Sequence, residues 1–216
     1  MTDKLLERLE KSYALNPLDV GEFSTLKANG MKFTVKAYHA EGLGHVSVMR
    51  AKGFFGLMRM DTLMIVPKQT DLPLYSYDRI YAMGNDTLIV ELYDTLMGKA
   101  DLSGIDDVKS AFSYLDERDP GEHWYDSIKL AQSISKKGKK AQTEALDAMT
   151  VAHFEAYLTA SAADVIDPDG KRARSEAYVN GLLTNGGPST DVFKKAFGEE
   201  KTARLFRDVL FGVDRS

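Results

Sequence analysis

One aspartate stands out among the residues that could do chemistry, because it interrupts a segment with the pattern of a β-strand. Asp78 lies in the stretch 76–83, where apolar and polar residues alternate. Aspartate is disfavoured within strands, so this position favours either a functional carboxyl group or an ion pair with an Arg or Lys across the sheet. Strand alternation predicts that Asp78 shares one face with Ser76 and Ile80, while Tyr77 lies on the other.

The motifs of the commonest enzyme classes are absent from the sequence. There is no Gly-x-Gly-x-x-Gly turn and no Gly-x-x-x-x-Gly-Lys-Ser/Thr loop, the two signatures of dinucleotide and nucleoside triphosphate binding. Gly-x-Ser-x-Gly and His-Glu-x-x-His, which mark serine and zinc hydrolases, are also missing. Four histidines are scattered without metal-ligand spacing, and we expect packed or surface roles for them: His39, His45, His123 and His153.

Composition narrows the class of protein further. The 216 residues are 44% hydrophobic and 28% charged, which is typical of a folded globular chain. The formal charge of -4 argues against general nucleic-acid binding, and zero cysteines exclude disulfides and thiolate metal sites. No apolar run reaches the roughly 18 residues of a membrane span. The N-terminus lacks a basic segment followed by an apolar stretch, so we expect a cytoplasmic protein without a membrane partner.

Two basic runs interrupt this acidic background, at 136–140 and 171–174. Each run is interpreted either as a solvated loop or helix face, or as a docking patch for an acidic partner. A local positive potential can steer association even when the total charge is negative.

The pattern of the chain changes from strands to helices at about Asp101. Residues 2–14 place apolar side chains on one helical stripe. Between 20 and 94, alternating residues and the Asn29-Gly30 turn favour an antiparallel meander. We predict strands near 20–28, 31–38, 45–52, 55–67, 76–83 and 87–94, and later helices near 106–116, 123–136, 141–165, 172–184, 189–197 and 199–210.

The predicted strands are apolar or mixed on both faces. In the strand 55–67, Met60, Thr62 and Met64 point one way, while Leu63 and its alternate neighbours point the other. An antiparallel sheet with one wet face would alternate more cleanly, so helices must cover both faces. The sequence therefore predicts a three-layer α/β/α sandwich with a central antiparallel sheet, built as one domain over residues 1–216.

Several short motifs occur in the order and approximate spacing of one known family. They are the tyrosine-bearing segment 177–185, the segment 193–200, the tail Val209-Leu210-Phe211-Gly212, and upstream Val66-Pro67, Asp71-Leu72-Pro73 and Tyr77-Asp78-Arg79-Ile80. On these motifs the chain resembles the ferredoxin-dependent bilin reductases over roughly residues 44–212. It is less similar to red chlorophyll catabolite reductase, which belongs to the same superfamily.

The resemblance implies a reaction and a set of partners. Bilin reductases bind an open-chain tetrapyrrole between the sheet and the C-terminal helices. They add electrons from reduced ferredoxin and protons from the protein, without flavin, nicotinamide or metal. We therefore expect a linear tetrapyrrole substrate, no tightly bound cofactor, and ferredoxin or a similar acidic electron-transfer protein as external donor.

The resemblance also implies a role for Asp78, which matches the family's catalytic aspartate. That residue lies above the pyrrole rings and donates a proton to the substrate radical. Burial against an apolar ligand can keep such a carboxyl group protonated near neutral pH, because it disfavours the charged form.

Other family positions carry different residues here. Thr62 takes the place of a histidine or asparagine, and Ser47 falls where some members have a glutamate. The family's Asn-Asp turn aligns with Asn185-Gly186, so its second acid is missing. Thr62 can donate a hydrogen bond but cannot relay a proton with a pKa near neutrality. From their places in the resemblance, we expect Thr62, Ser47 and Asn185 to bind the substrate.

Two further groups are candidates for substrate binding. Tetrapyrrole propionates favour Arg or Lys forks, and the matching helical region offers Arg174, together with Arg172, Lys194 and Lys195. Methionines at alternating strand positions could line an adaptable pocket, Met64 among Met49, Met58, Met60 and Met83, although such methionines are more often plain core.

Three functions remain open from the sequence. The first is a ferredoxin-dependent bilin reductase with Asp78 as proton donor. The second is a binding protein for a tetrapyrrole or other flat ligand that has kept the fold and lost the chemistry, as the changes at Thr62 and Ser47 suggest. The third is an interaction module in which the sheet is only a scaffold, and which predicts a filled core without a cavity.

Overall fold

The structure is a computed structural model and describes residues 1–215. Its strands are β1 (Leu15–Leu18), β2 (Thr25–Ala28), β3 (Met31–Ala40), β4 (Gly44–Gly53), β5 (Met58–Pro67), β6 (Leu74–Ala82), β7 (Asn85–Tyr93), β8 (Ala100–Asp101), β9 (Ile134–Lys139) and β10 (Ser161–Ala162). Eight of them form an antiparallel sheet in the order β1-β3-β4-β5-β6-β7-β9, with β2 also paired to β3. The two short strands β8 and β10 pair with each other.

Six helices accompany these strands. They are α1 (Thr2–Leu9), α2 (Ser103–Ala111), α3 (Thr143–Leu158), α4 (Pro168–Asn185), α5 (Pro188–Phe197) and α6 (Glu199–Arg204), and α6 continues as a π-helical turn over Leu205–Leu210. The Asp167 carboxylate caps α4 by accepting a hydrogen bond from the Gly170 N–H at 2.9 Å. None of these helices combines the length and apolar composition needed to cross a membrane.

Two apolar clusters lie on opposite faces of the large sheet, because successive side chains of a strand point to opposite sides. On one face, Phe33 and Met49 pack with residues of α4, α5 and the C-terminal turn, such as Phe206. On the other face, Tyr75 packs with residues of α1 and α3, such as Phe154. The predicted antiparallel sheet and mixed α/β class are confirmed, and helices contact the sheet from both sides.

The predicted helix 123–136 is wrong. This segment contains a single 3₁₀ turn at Asp126–Ile128, and its last residues begin β9. In β9 the buried residues alternate, as Ile134, Lys136 and Gly138 do. Pairing with β7 gives the edge of the meander a partner for its open hydrogen-bonding groups, and this tertiary pairing overrides the local helical spacing.

Other predicted boundaries shift for similar reasons. The helix predicted over 2–14 ends at Leu9, where a turn leads the chain to β1 and its pairing with β3. The strand predicted over 20–28 starts with a 3₁₀ turn, and within this segment only the residues of β2 pair with β3. The helix predicted over 141–165 ends at Leu158, because β10 then pairs with β8. The Asn29-Gly30 hairpin turn is confirmed.

A buried ion pair holds α4 against the loop that precedes β6. The Lys171 ammonium group donates to Asp71 Oδ1 at 2.9 Å and to the carbonyls of Leu72 and Thr95 at 2.7 and 2.9 Å. Both side chains of the pair are almost fully buried. This lysine of the basic run 171–174 is therefore structural and does not face a partner.

Lys136 in the other basic run is also buried. Its ammonium group donates to the Leu115 carbonyl at 3.1 Å and to Glu117 at 2.5 Å. Neither run is a continuous exposed patch, because the first lysine of each run is buried, and this weakens the interpretation of the runs as docking patches.

We predict that Lys171→Met lowers the free energy of unfolding by about 3–5 kcal/mol, because it leaves the Asp71 carboxylate buried without its cation. Denaturant unfolding monitored by circular dichroism measures this loss. Arg172→Met is the matched control on the same helix, since Arg172 is exposed and pairs at the surface with Asp169. It is expected to cost less than about 1 kcal/mol. Equal losses in the two variants would show that the buried pair is not what fixes α4.

Candidate functional site

Asp78 lies in the middle of a cross-strand row at the centre of the sheet. Strand pairing places it directly opposite Thr62 on β5 and Ile89 on β7. The predicted alternation is confirmed, because Ser76, Asp78 and Ile80 all line a cavity on the face that α4 and the C-terminal turn cover.

The cavity has a volume of about 260 Å³ and is bounded by the sheet, by the loop that precedes β9, and by the C-terminal helices. Its sheet wall is built from alternate residues of four neighbouring strands, namely Met49, Met60, Thr62, Met64, Ser76, Asp78, Ile80, Ile89, Glu91 and Tyr93. The opposite wall includes Tyr178 and Leu182 of α4 together with Phe206, Leu210 and Phe211. Of the methionines that the sequence offered as pocket residues, Met49, Met60 and Met64 line the cavity.

The Asp78 carboxyl group has an unusual environment. Thr62 Oγ1 donates a hydrogen bond to Asp78 Oδ1 at 2.5 Å. Burial among the cavity residues raises the pKa of Asp78 to about 6; the Thr62 hydrogen bond opposes this rise and the charge of Glu91 adds to it. A carboxyl group with a pKa near 6 can both hold and release a proton close to neutral pH.

A second carboxyl group faces the same cavity from the next strand. Glu91 is opposite Ser76, one step along the sheet from Asp78, and its side chain is 16% exposed. The Tyr93 hydroxyl donates to Glu91 Oε2 at 2.6 Å, and the Lys129 ammonium group lies 3.8 Å from Glu91 Oε1. Glu91 thus has one oxygen inside the cavity network and a charged partner towards solvent.

Aromatic rings form one end of the cavity. The Tyr93 and Tyr178 rings lie 4.1 Å apart with a 31° tilt, and Tyr125 packs edge-on against Tyr93 at 5.5 Å. Burial raises the pKa of each of these phenols, so all three stay neutral in the physiological range. Flat, neutral rings of this kind favour a flat, conjugated ligand.

The loop that precedes β9 contributes two polar groups to the cavity, Arg118 and His123. Its position is fixed by Trp124, whose ring lies so close over Gly181 of α4 that a Cβ there would clash. Trp124 Nε1 also donates to the Gly186 carbonyl at 3.1 Å. Within the described residues, His123 Nδ1 is buried without a hydrogen-bond partner and lies 4.0 Å from Asp126 Oδ1.

The remaining predicted site residues lie elsewhere. Ser47 is buried and its hydroxyl donates to the Leu210 carbonyl at 2.7 Å, so it fixes the C-terminal turn and does not line the cavity. Asn185 and Arg174 are exposed on α4, outside the cavity lining. The structure therefore brings together three of the predicted residues, namely Asp78, Thr62 and Met64, and separates the other three.

Sequence reasoning missed Glu91, Tyr93 and Arg118. The first two could have been found, because alternation along the predicted strand 87–94 places them on one face and the short hairpin to β6 sets that face. Arg118 gives no such signal, since the loop that carries it has no regular pattern.

Two of the four histidines are packed in the protein core. His45 Nε2 contacts the Val209 carbonyl at 2.8 Å, and His153 Nε2 contacts the Gln132 carbonyl at 3.1 Å. Burial lowers the pKa of both to about 4, so they are neutral at physiological pH. Across residues 1–215, no group of three or more His, Cys, Asp or Glu side chains could hold a metal ion.

Comparison with known proteins identifies the fold. No family model matches the chain, and no curated protein matches it in sequence. The chain has the fold of a bilin reductase. Among solved structures, it is similar to phytochromobilin synthase from tomato in complex with biliverdin. The TM-score is 0.75, and the match covers 98% of this chain and 82% of that chain at 15% sequence identity. The resemblance inferred from the sequence is thus confirmed for the fold.

The raised pKa of Asp78 predicts a pH-dependent difference in stability between the protein and its Asp78→Asn variant. The folded state keeps the Asp78 proton to higher pH than the unfolded state does, so ionisation of Asp78 destabilises the fold as pH rises from about 4 to about 6. Asparagine still accepts the Thr62 hydrogen bond but cannot ionise. We expect the variant to gain about 2–3 kcal/mol relative to the wild type between pH 4 and pH 8.

Denaturant unfolding across this pH range measures the difference. The exposed Asp107→Asn variant controls for the loss of one negative charge. A difference between Asp78→Asn and the wild type that stays constant with pH would contradict the raised pKa.

Proposed function

We propose that this protein is a ferredoxin-dependent reductase of a linear tetrapyrrole, with Asp78 as a proton donor. The observation that carries the proposal is the Asp78 carboxyl group, which has a pKa of about 6 and faces a cavity between the sheet and the C-terminal helices. The bilin reductase fold supports it, as does the aromatic and methionine lining. A three-layer α/β/α arrangement and a cytoplasmic location belong to the same proposal.

The reaction we propose adds two electrons and two protons across one double bond of the tetrapyrrole. Reduced ferredoxin, or a similar acidic iron–sulfur protein, supplies the electrons one at a time, so no resident cofactor takes part. Asp78 donates the first proton to the substrate radical. A closely packed apolar ligand displaces water from around Asp78, which further disfavours its ionised form and keeps it protonated for this step.

The second proton needs another acid, because the family's other relay positions do not provide one. Thr62 holds Asp78 through a hydrogen bond, and Ser47 is bound to the C-terminal turn. Glu91 is the second carboxyl group of the cavity and is linked towards solvent through Lys129. We assign to Glu91 the relay of the second proton: its carboxylate first takes up a proton from the solvent side and then donates that proton to the substrate.

The volume of the cavity is large enough to enclose part of a tetrapyrrole. Cavities that enclose drug-sized ligands measure roughly 300–1,000 Å³, so a volume of about 260 Å³ holds only part of such a molecule. The remainder would extend along the loop that carries Arg118 and His123. Arg118 is the cation we assign to a propionate, in place of the exposed Arg174.

The alternative is a binding protein that holds a tetrapyrrole without reducing it. The absence of an acid at Thr62 and Ser47 favours binding without reduction. The cavity argues against an interaction module, because such a module predicts a filled core. Tight biliverdin binding without reduction, in the presence of active ferredoxin, would support the alternative.

We predict that the wild-type protein, incubated anaerobically with biliverdin and a ferredoxin reducing system, changes the visible spectrum of the bilin. Asp78→Asn should bind biliverdin with similar affinity but reduce it roughly 10²–10⁴-fold more slowly, because the first proton donor is lost. Single-turnover absorption spectroscopy measures the rate. An unchanged spectrum with the wild type, or equal rates in both proteins, would rule out the proposed chemistry.

Glu91→Gln separates the two protonation steps in the same assay. We expect the one-electron, singly protonated radical to accumulate, because Asp78 remains while the second acid is lost; electron paramagnetic resonance detects this species. Glu122→Gln is the matched control, since Glu122 is exposed and lies outside the cavity lining. Normal turnover by Glu91→Gln without a trapped radical would refute the role of Glu91 and leave that of Asp78 intact.

A further inference from the structure

Three β-hairpin turns lie at one end of the large sheet, on neighbouring strands. They are the β2–β3 turn at 29–30, the β4–β5 turn at 54–57 and the β6–β7 turn at 83–84. The N–H of Met83 donates to the carbonyl of Leu57 at 3.3 Å, which joins the last two turns. We call these three turns and the strand residues next to them the hairpin end.

Large apolar side chains project into solvent from the hairpin end. Phe55 is fully exposed, Met83 is 83% exposed, and Leu57 and Phe54 are also exposed, with the Phe54 ring lying against Gly30. Phe54, Phe55 and Met83 have φ angles of 50°, 55° and 48°. Side chains of this size are rare in the left-handed region, where glycine or asparagine would be less strained. Folding alone therefore does not favour these residues here.

A row of cations crosses the strands just behind these apolar side chains. Strand pairing places Lys27 opposite Lys32, Lys32 opposite Lys52, and Lys52 opposite Arg59. All four are exposed, and the Arg59 guanidinium group lies 4.7 Å from the centre of the Tyr81 ring. Like charges directly opposite each other destabilise a sheet, so this row also has a cost in folding that an anionic partner would remove.

The acidic side chains next to these cations are already paired. Asp61 binds the N-terminal ammonium group at 3.1 Å, and the buried Asp86 forms a bidentate ion pair with Arg79. Lys139 of β9 adds an exposed cation at the same end. The hairpin end therefore presents positive charge behind an apolar tip.

We propose that the hairpin end binds the surface of a lipid bilayer that contains anionic lipids. The apolar side chains would enter the boundary between head groups and acyl chains, and the cation row would contact the phosphates. Lys52 and Arg59 are each two residues from the nearest apolar tip residue, which sets them back by about 7 Å along the strands. Interfacial side chains penetrate to a depth of roughly 5–10 Å, so the spacing matches.

An acidic protein surface fits the hairpin end less well. A stable protein interface buries about 800 Å² on each partner around a packed core, whereas here the apolar side chains protrude singly from narrow turns. Binding to a bilayer surface requires no membrane-spanning helix, so it is compatible with the absence of an apolar run in the sequence, and it replaces the expectation of no membrane partner. The inference does not depend on the proposed reductase activity.

Co-sedimentation of the full chain with lipid vesicles tests the proposal. We expect binding to vesicles of phosphatidylcholine and phosphatidylserine, weakening as salt is added, and much weaker binding to phosphatidylcholine alone. The double variant Phe55→Asn/Met83→Asn should weaken binding roughly tenfold or more, since two apolar side chains are lost. Asparagine tolerates the left-handed backbone, so this variant is expected to fold at least as well as the wild type.

Lys52→Glu/Arg59→Glu should weaken binding to anionic vesicles by roughly tenfold or more. The matched controls are Ile166→Asn, which removes an exposed apolar side chain elsewhere, and Lys11→Glu/Lys195→Glu, which reverses two exposed charges elsewhere; both should bind as the wild type does. Equal binding of the wild type to neutral and anionic vesicles would overturn the proposal. So would unchanged binding in the hairpin-end variants, or binding to an acidic protein such as ferredoxin through these residues without any binding to vesicles.

Discussion

The candidate site depends on one interaction, the hydrogen bond from Thr62 to Asp78 across the centre of the sheet. A carboxyl group on a covered sheet face loses hydration, and this raises its pKa and destabilises the charged form. The Thr62 hydroxyl group returns part of the lost stabilisation and fixes the direction of the carboxyl group. The register of β5 against β6 makes this contact, so the pairing of these two strands places the carboxyl group in the cavity.

The rest of the fold gives this carboxyl group an enclosed environment. The buried Lys171–Asp71 pair holds α4 in place, and α4 carries Tyr178 and Leu182 to the cavity. Ser47 holds the C-terminal turn that closes the opposite wall. Ser47 was predicted to bind substrate, but its hydroxyl group instead stabilises the turn that forms a wall of the cavity.

Strand alternation and turn chemistry were sufficient to predict the meander, the Asn29-Gly30 hairpin and the face on which Asp78 lies. They failed at β9, because a short edge strand forms through pairing with β7 and its own residues give no decisive pattern. Glu91 follows from alternation once the hairpin to β6 is known, whereas Arg118 depends on a loop that Trp124 positions over Gly181. The cation row at the hairpin end could not be seen either, since its members come from four strands and only their register brings them together.

We propose that a bound tetrapyrrole keeps Asp78 protonated at neutral pH. Infrared difference spectroscopy of biliverdin binding can detect this proton, because a protonated carboxyl group has a carbonyl stretch that a carboxylate lacks. We expect that binding to the wild type produces this band, and that the band is missing from the Asp78→Asn variant. A binding spectrum without the band, or with the same band in both proteins, would contradict it.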